Sequence, residues 1–449
     1  MNSIRKYIHP YLKVAVSYLV TGLLAGSLSG CQNLFHAQDA PLKGQTVTVS
    51  MTVPETPLPA VQPLQQGEAV PPVSAASKRP LDSRLLPTLA PTAPDQFSVS
   101  RQIKSDRAVV EKADTVITGK IVTEDMVLRG TVLIKGSLVI ASQATLRVEP
   151  GSVVRFAPAE GTTLLSRLVI QGRIVAVGTV QQPVLFASVF RDAAAGDWGG
   201  LVLLNSEKKN SLDYCRIEGA QTGLEAHFSR FSSRGFVVSN SQSAVALFDS
   251  EASVQGSVFS RCDVGLRLSD SELDLRDSTV RENRLGLLGS RSSFTLNGVK
   301  MLNNSQEGIV SDQCRFRLTS SVFAENRNGI RLNGGDGQIF LCRFYQNREH
   351  GAELIGTRIR INNSSFLQNA GAGILLENAR GTVVGSAFEN NKGATIQNRG
   401  NDFFAALLNW WGTVDERTIA AGILDPTRKG HEGVVLFVPF LKERPVTAP

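Results

Sequence analysis

The feature that most constrains this fold is an apolar position that recurs every 21 or 22 residues through the second half of the chain. A second, mostly small column lies two residues before it, and alternate residues of a strand point to the same face, so both columns are expected to line one interior. The apolar column is Ile217, Val238, Phe259, Val280, Met301, Phe323, Phe344, Phe366 and Phe388, and the small column is Cys215, Phe236, Ser257, Ser278, Val299, Ser321, Cys342, Ser364 and Ser386. This period predicts like coils stacked on like coils.

Each unit also contains a turn and a further short strand. A Gly or Ala six or seven residues after the apolar position opens that strand, as in "GLRL" and "GIRL". Three residues after the apolar position, six successive units carry asparagine, which tolerates unusual turn angles and can hydrogen-bond to its copy in the next coil. These asparagines are Asn283, Asn304, Asn326, Asn347, Asn369 and Asn391. We predict an all-β, single-stranded parallel β-helix with about 21–22 residues per coil and a structural asparagine ladder.

Several phrases resemble those of bacterial right-handed β-helix proteins of the pectate-lyase-like type. They include "VEPGSVVRF", "GDWGGLVL" and "NWWG", and the asparagine ladder is similar to the one in that family. The resemblance covers residues 114–441. It implies a right-handed helix of about a dozen coils over residues 108–409, followed by a C-terminal cap and tail at 410–449.

The N-terminus has the features of an export signal. Three basic residues precede the apolar "VAVSYLVTGLLAG", and "LSGC" ends at Cys31. This ending resembles a bacterial lipobox, which implies a signal peptide at 1–30 and a lipid-anchored Cys31 on a membrane. The alternative, a membrane-spanning helix, is disfavoured because the run from Val14 to Gly30 is only 17 residues long. Gln32 after the cysteine resembles outer-membrane sorting, so the expected location is the outer membrane of the cell envelope.

A proline-rich stretch separates this signal from the repeat. Eleven of the 19 prolines lie between Pro41 and Pro94. Such a composition cannot bury a core, so residues 31–107 are predicted to be a disordered linker. The formal charge of +7 falls to +4 without the three basic residues of the signal. This modest excess is compatible with acidic glycans or lipid headgroups, and equally with an ordinary solvated surface. Nucleic acid is disfavoured because the sequence has no dense basic block interleaved with aromatic residues.

The only catalytic candidates are acids in the phrase "DSE", which occupies the same slot in two neighbouring coils. They are Asp249, Glu251, Asp270 and Glu272. Carboxylates about 5 Å apart on adjacent coils could form a glycosidase pair or hold Ca²⁺. Asp and Ser are equally typical of a solvated turn, with Arg291 offsetting the charge one coil later. Neither a metal site nor any other cofactor is predicted.

A comparison with polygalacturonase motifs argues against catalysis. "EHG" at Glu349 and "RIR" at Arg358 resemble two motifs of that family, but its "NTD" and paired "DD" are absent. Without those aspartates there is no acid or base to cleave a glycosidic bond. The sequence therefore favours a protein without enzymatic activity.

A polar stripe precedes the asparagine ladder and offers candidates for glycan contact, although any solvated face would look similar. It consists of Glu282, Asn303, Glu325, Gln346, Gln368 and Asn390.

Three functions follow from the sequence. The favoured one is a membrane-anchored lipoprotein that presents the β-helix as a non-catalytic polysaccharide-binding or scaffold module. The alternatives are a polysaccharide lyase, hydrolase or epimerase, and a structural or adhesive protein with a protein partner. The oligomeric state is not indicated.

Overall fold

The computed structural model describes residues 107–109, 112–159, 164–206, 208–425 and 433–446. The predicted signal peptide, Cys31 and nearly all of the predicted linker lie outside the described residues. In the described part, no helix is long and apolar enough to cross a membrane.

Each coil contributes three short strands, and every strand pairs in parallel with its counterparts in the neighbouring coils. Three ladders of stacked strands result, in a parallel β-solenoid of about 13 turns. Ile217 lies beside Val238, and Val238 beside Phe259, as their spacing predicts. The predicted β-helix is therefore confirmed, with the third strand of each coil now defined.

Most strands belong to a single ladder. Two long strands, Thr115–Val122 and Thr131–Ile140, run through both the first and the second ladder. The first ladder continues with Val153–Ala157, Val184–Ser188, Cys215–Glu218, Val237–Ser239, Val258–Ser260, Thr279–Arg281, Lys300–Leu302, Val322–Ala324, Arg343–Tyr345, Ser365–Leu367 and Ala387–Glu389. The second continues with Arg167–Ile170, Gly200–Leu204, Thr222–His227, Ser243–Phe248, Val264–Ser269, Leu285–Ser290, Ile309–Asp312, Ile330–Asn333, Ala352–Ile355, Ile374–Glu377, Ile396–Asn398 and Ile423–Leu424. The third consists of Met126–Leu128, Thr145–Val148, Arg173–Val177, Asn210–Asp213, Arg230–Arg234, Glu251–Gln255, Glu272–Arg276, Ser293–Asn297, Arg315–Thr319, Asp336–Phe340, Arg358–Asn362, Arg380–Val384, Phe404–Ala405 and Val435–Leu436.

The interior is built by stacking identical positions. Phe323, Phe344, Phe366 and Phe388 form a continuous ring stack with centroid distances of 4.8, 4.8 and 5.1 Å, and Trp411 extends it at 5.0 Å. These distances match the spacing of about 4.8 Å between paired strands, so each ring sits directly on the next. Both predicted inward columns are buried, which confirms that they share one face.

The small inward column forms a second ladder, made of hydroxyl groups. The Oγ of Ser257 accepts from the backbone N–H of Phe236 at 3.1 Å and donates to the carbonyl of Gln255 at 2.9 Å. Cys342 fills the equivalent slot as a free, buried thiol, and burial raises its pKa to about 12. Small polar residues suit most positions of this column because the chain turns and leaves backbone groups without ladder partners, although Phe236 and Val299 also occupy it.

The asparagines lie inside the corner that joins the first and second ladders. The Oδ1 of Asn326 accepts from the backbone N–H and the Nδ2 of Asn304 at 3.0 and 2.9 Å. Its Nδ2 donates to the carbonyl of Met301 at 3.0 Å. The same pattern links all six asparagines from coil to coil. Each amide therefore satisfies backbone groups that the corner would otherwise bury unpaired.

The C-terminal segment closes the last coil. Helix α1, Glu416–Gly422, begins after Asp415, whose side chain accepts from the backbone N–H of Thr418. The two strands that follow α1 extend the second and third ladders by one rung each. This segment lies in the predicted cap and tail, and it covers the end of the stack.

Candidate functional site

The acids of the "DSE" phrases lie on the surface where the second ladder turns into the third. Asp249 and Asp270 are exposed corner residues with φ of 47° and 50°. Glu251 and Glu272 follow as neighbours at the start of third-ladder strands. The structure thus brings the four acids together along one exposed edge.

Arginine side chains pair with two of these four acids. Arg291 donates to both carboxylate oxygens of Asp270 at 2.8 and 2.6 Å. The hydrogen bond from Arg291, followed by one from Ser269, lowers the pKa of Asp270 below its ordinary value. Glu251 pairs with Arg230 at 3.1 Å. A general acid needs a raised pKa, so Asp270 is poorly suited to that role.

The polar stripe occupies the outer side of the asparagine corner. All six of its members are exposed and adopt left-handed backbone conformations with φ between 53° and 59°. Asparagine suits this conformation, whereas glutamate and glutamine have no such preference. One pair in the stripe is joined, with the Nε2 of Gln346 donating to the Oε1 of Gln368 at 3.3 Å. The corner geometry explains the regular spacing of the stripe.

A different surface carries several exposed arginines that are not paired with acidic side chains in the described part of the chain. Arg315 and Arg317 project from one strand of the third ladder, and Arg358 and Arg360 project from the strand two coils later. All four are exposed and alternate with buried residues. Among the described residues, none of the four has a carboxylate within ion-pair distance.

The strand between them completes this surface. In register, Asp336 lies between Arg315 and Arg358, while Gln338 lies between Arg317 and Arg360. Phe340 ends the same strand and is 40% exposed. We call this set the arginine face: Arg315, Arg317, Asp336, Gln338, Phe340, Arg358 and Arg360. Its formal charge is +3.

Strand geometry fixes the spacing of the four guanidinium groups. Alternate residues of a strand are about 7 Å apart, and two rungs of the ladder span about 10 Å. Guanidinium groups form planar, bidentate hydrogen bonds with carboxylates, sulfates and phosphates. Four of them in a rectangle beside an exposed ring could hold several anionic groups of one extended ligand.

The sequence contains a repeated arginine pattern that indicates this surface. A comparison with enzyme motifs does not detect this pattern. "RFR" and "RIR" lie 43 residues apart, which is two coils. Once the strands are placed, both arginines of each phrase point outward. In the sequence, Arg358 and Arg360 stand out only as part of an incomplete enzyme motif. Their partners two coils earlier show that the pattern is spatial.

A second polar line lies beside the asparagine ladder and contains His350. Its Nδ1 accepts from the backbone N–H of Ala372 at 2.9 Å, and its backbone N–H donates to the Oδ1 of Asn328 at 2.9 Å. Glu307, only 5% exposed, receives a longer bond of 3.4 Å from the Nδ2 of Asn328. The imidazole of His350 therefore serves the backbone as a neutral acceptor.

This histidine should make the fold sensitive to acid. Burial lowers the pKa of His350, with Glu349 opposing and Arg399 reinforcing the shift. A lowered folded-state pKa means that the unfolded chain binds the proton more readily, so stability is full above about 6.5 and falls as pH drops through the folded pKa. We expect the melting temperature of the wild type to fall further between pH 7.5 and 5 than that of His350→Gln. Equal losses in thermal scans of the two proteins would contradict this.

Potential metal ligands are scattered over the described residues. No three His, Cys, Asp or Glu side chains in this part of the chain lie close enough to share a metal ion. The four described cysteines are buried and free.

Comparisons with known proteins agree with the geometry. Three family models match: "Pectate-lyase like beta helix domain" over residues 119–226, "Periplasmic copper-binding protein (NosD)" over 188–354, and "Right handed beta helix region" over 307–406. No curated protein gives a significant match. The chain thus carries pectate-lyase-like repeats arranged as a right-handed parallel β-helix.

Solved structures with the same fold are distant. The periplasmic alginate epimerase AlgG is 15% identical, with a TM-score of 0.34, and the match covers 63% of this chain and 77% of AlgG. The A-module of the Azotobacter vinelandii mannuronan C-5 epimerase AlgE4 is 13% identical, with a TM-score of 0.42 and coverages of 70% and 91%. A pectate lyase is 12% identical, with a TM-score of 0.30 and coverages of 57% and 69%. These likenesses concern the fold alone.

Proposed function

We propose that this protein is an exported, membrane-anchored envelope lipoprotein whose β-helix binds an acidic polysaccharide on the arginine face without cleaving it. The single observation that carries the proposal is the set of four exposed arginines without carboxylate partners among the described residues. Several other surface arginines, such as Arg276, Arg284 and Arg327, are paired with acids. Unpaired arginines in register across three coils leave their hydrogen-bonding capacity for a ligand.

Neighbouring side chains favour a sugar polymer over a small anion. Gln338 offers an amide for hydroxyl groups, and the ring of Phe340 offers an apolar surface for the C–H face of a sugar. A flat ladder several coils long suits an extended chain with repeated charges. The polar stripe from Glu282 to Asn390 remains a second candidate for glycan contact, on a different corner of the coil.

The anchoring part of the proposal rests on the sequence. The charged start, the apolar run and "LSGC" favour lipid attachment at Cys31, and Gln32 favours the outer membrane. The family model over 188–354 describes a periplasmic protein, which supports export. No cofactor is part of the proposal, and a Ca²⁺ ion at the "DSE" acids would be an addition to it.

Binding to acidic and neutral polymers tests the proposal directly. The full-length chain, purified in detergent, is titrated with polygalacturonate and with a neutral glucan of similar length at low and high salt. We expect binding to the acidic polymer only, weakening by about tenfold or more between 50 and 500 mM salt because exposed charges are screened. Binding that ignores polymer charge or salt would exclude the arginine face as its source. Release of reducing or unsaturated ends would revive the enzyme alternative.

A further inference from the structure

One aromatic residue occupies a conformation that its side chain does not favour. Phe228 lies at the corner between the second and third ladders with φ of 47°, in the left-handed region, and is 61% exposed. A bulky residue is strained there, and exposure denies it the compensation of burial. The other coils place smaller or polar residues in this left-handed corner, namely Asn205, Asp249, Asp270, Arg291, Gln313, Gly334, Gly356 and Asn378.

The surroundings of Phe228 form an ordered aromatic surface. The imidazole of His227 stacks on the ring of Phe248 with centroids 4.7 Å apart and planes 11° from parallel. Glu225 lies 2.6 Å from the Nε2 of His227 and fixes the ring orientation. Leu204 occupies the rung before His227 and is 38% exposed. We call Leu204, His227, Phe228 and Phe248 the aromatic shelf.

This shelf adjoins the same face that carries the arginines. Arg230, two residues after Phe228, begins a third-ladder strand, and the column to which it belongs reaches Arg315 four rungs later. Four rungs correspond to about 19 Å. The parallel column that leads to Arg317 carries mostly small hydroxyl side chains. In order, it consists of Ser232, Ser253, Asp274 and Thr295.

We propose that the aromatic shelf is a second subsite for the same polysaccharide, where Phe228 stacks against the C–H face of a pyranose ring. The inference rests on the proposed function and extends it along the third ladder. An aromatic ring has a flat apolar surface that matches the apolar face of a sugar, and the Arg230–Glu251 pair beside it offers hydrogen bonds to hydroxyl groups.

The path between the shelf and the arginines also passes Glu251, Glu272 and Asp274. Arg230 pairs with Glu251 and Arg276 pairs with Asp274, which limits the repulsion of an acidic chain. The hydroxyl side chains beside them leave room for the intervening sugars.

Three variants at one position separate binding from folding. Phe228→Asn introduces a residue that tolerates the left-handed conformation, so its melting temperature should equal or exceed that of the wild type. Its affinity for long acidic oligosaccharides should fall about three- to tenfold, the range expected for loss of one aromatic contact. Phe228→Leu should lose affinity similarly, because it keeps apolar bulk but no ring. Phe228→Tyr should retain it.

Chain length provides the matched comparison. Oligosaccharides too short to span about 19 Å should bind at the arginine face alone and be unaffected by Phe228→Asn. Unchanged affinity of Phe228→Asn for long chains, or an equal loss for short ones, would overturn the subsite.

Testing acidic and neutral oligosaccharides in parallel distinguishes the two proposals. If replacing the arginines weakens binding and replacing Phe228 does not, the proposed function stands and the shelf is not a subsite. If only the Phe228 variants bind more weakly, the shelf binds sugar and the specificity for acidic chains is contradicted. Absence of binding by the wild-type chain would remove both.

Discussion

Simultaneous replacement of Arg317 and Arg360 by alanine is expected to weaken binding of polygalacturonate by roughly 10²- to 10⁴-fold. Each guanidinium can make charge-assisted hydrogen bonds that contribute about 1.5–3 kcal/mol, and 1.4 kcal/mol corresponds to a tenfold change. Their side chains flank Gln338 at the centre of the arginine face. Removing both should therefore disrupt the middle of the bound chain. Isothermal titration with the full-length protein at low salt measures the effect.

A matched control removes the same charge elsewhere. Arg129 and Arg417 are exposed and lie far from the arginine face, in the first coil and in helix α1. The double variant Arg129→Ala and Arg417→Ala has the same net charge as the test variant. If both variants lose affinity equally, total charge rather than the arginine face governs binding. Melting temperatures of both should stay near the wild-type value, since exposed unpaired side chains contribute little to stability.

Replacement of Asn326 by alanine should lower the free energy of unfolding by about 2–4 kcal/mol. The loss leaves the backbone N–H of Asn304 buried without its partner and removes one of the hydrogen bonds to the carbonyl of Met301. A buried polar group left unpaired costs about 1–3 kcal/mol, and water has no access to this corner. Asn326 itself is fully buried. Denaturant titration followed by circular dichroism would report the change.

Two other substitutions serve as comparisons for this prediction. Arg327→Ala removes only an exposed ion pair to Glu349 and should cost at most about 1 kcal/mol. Asn391→Ala removes the last member of the ladder, which is only partly buried, so water can replace part of its bonds. An Asn326 variant as stable as Arg327→Ala would show that the amide ladder contributes little.

Much of the fold was predictable because a solenoid repeats its interactions at a fixed sequence interval. The phenylalanines from Phe323 to Phe388 had to stack once their spacing equalled one coil, and the asparagines had to share a corner for the same reason. The third ladder was less visible. Its inward positions vary among apolar and small residues, and its outward positions repeat over only a few coils, as at Glu251 and Glu272, so no single column marked the whole ladder.

The candidate site was harder to predict, since side-chain direction and pairing are properties of the folded coil. Asp270 has the sequence context of a catalytic or Ca²⁺-binding acid, but Arg291 occupies both of its oxygens in the fold. Arg358 and Arg360 resemble a fragment of a motif in the sequence, and only the winding of the chain places Arg315 and Arg317 two rungs away. Phe228 gave no signal at all, because a left-handed backbone conformation at phenylalanine is not encoded in local preference.

The sequence by itself determined the coil length, the inward columns and the asparagine corner, since each depends on spacing. Only the tertiary structure decided which charged residues face outward together and which are already paired. Residues 43 positions apart become neighbours on one face through the winding of the backbone, and whether an arginine has an acid beside it depends on side-chain positions in adjacent coils. Binding surfaces of a solenoid are therefore properties of the stack.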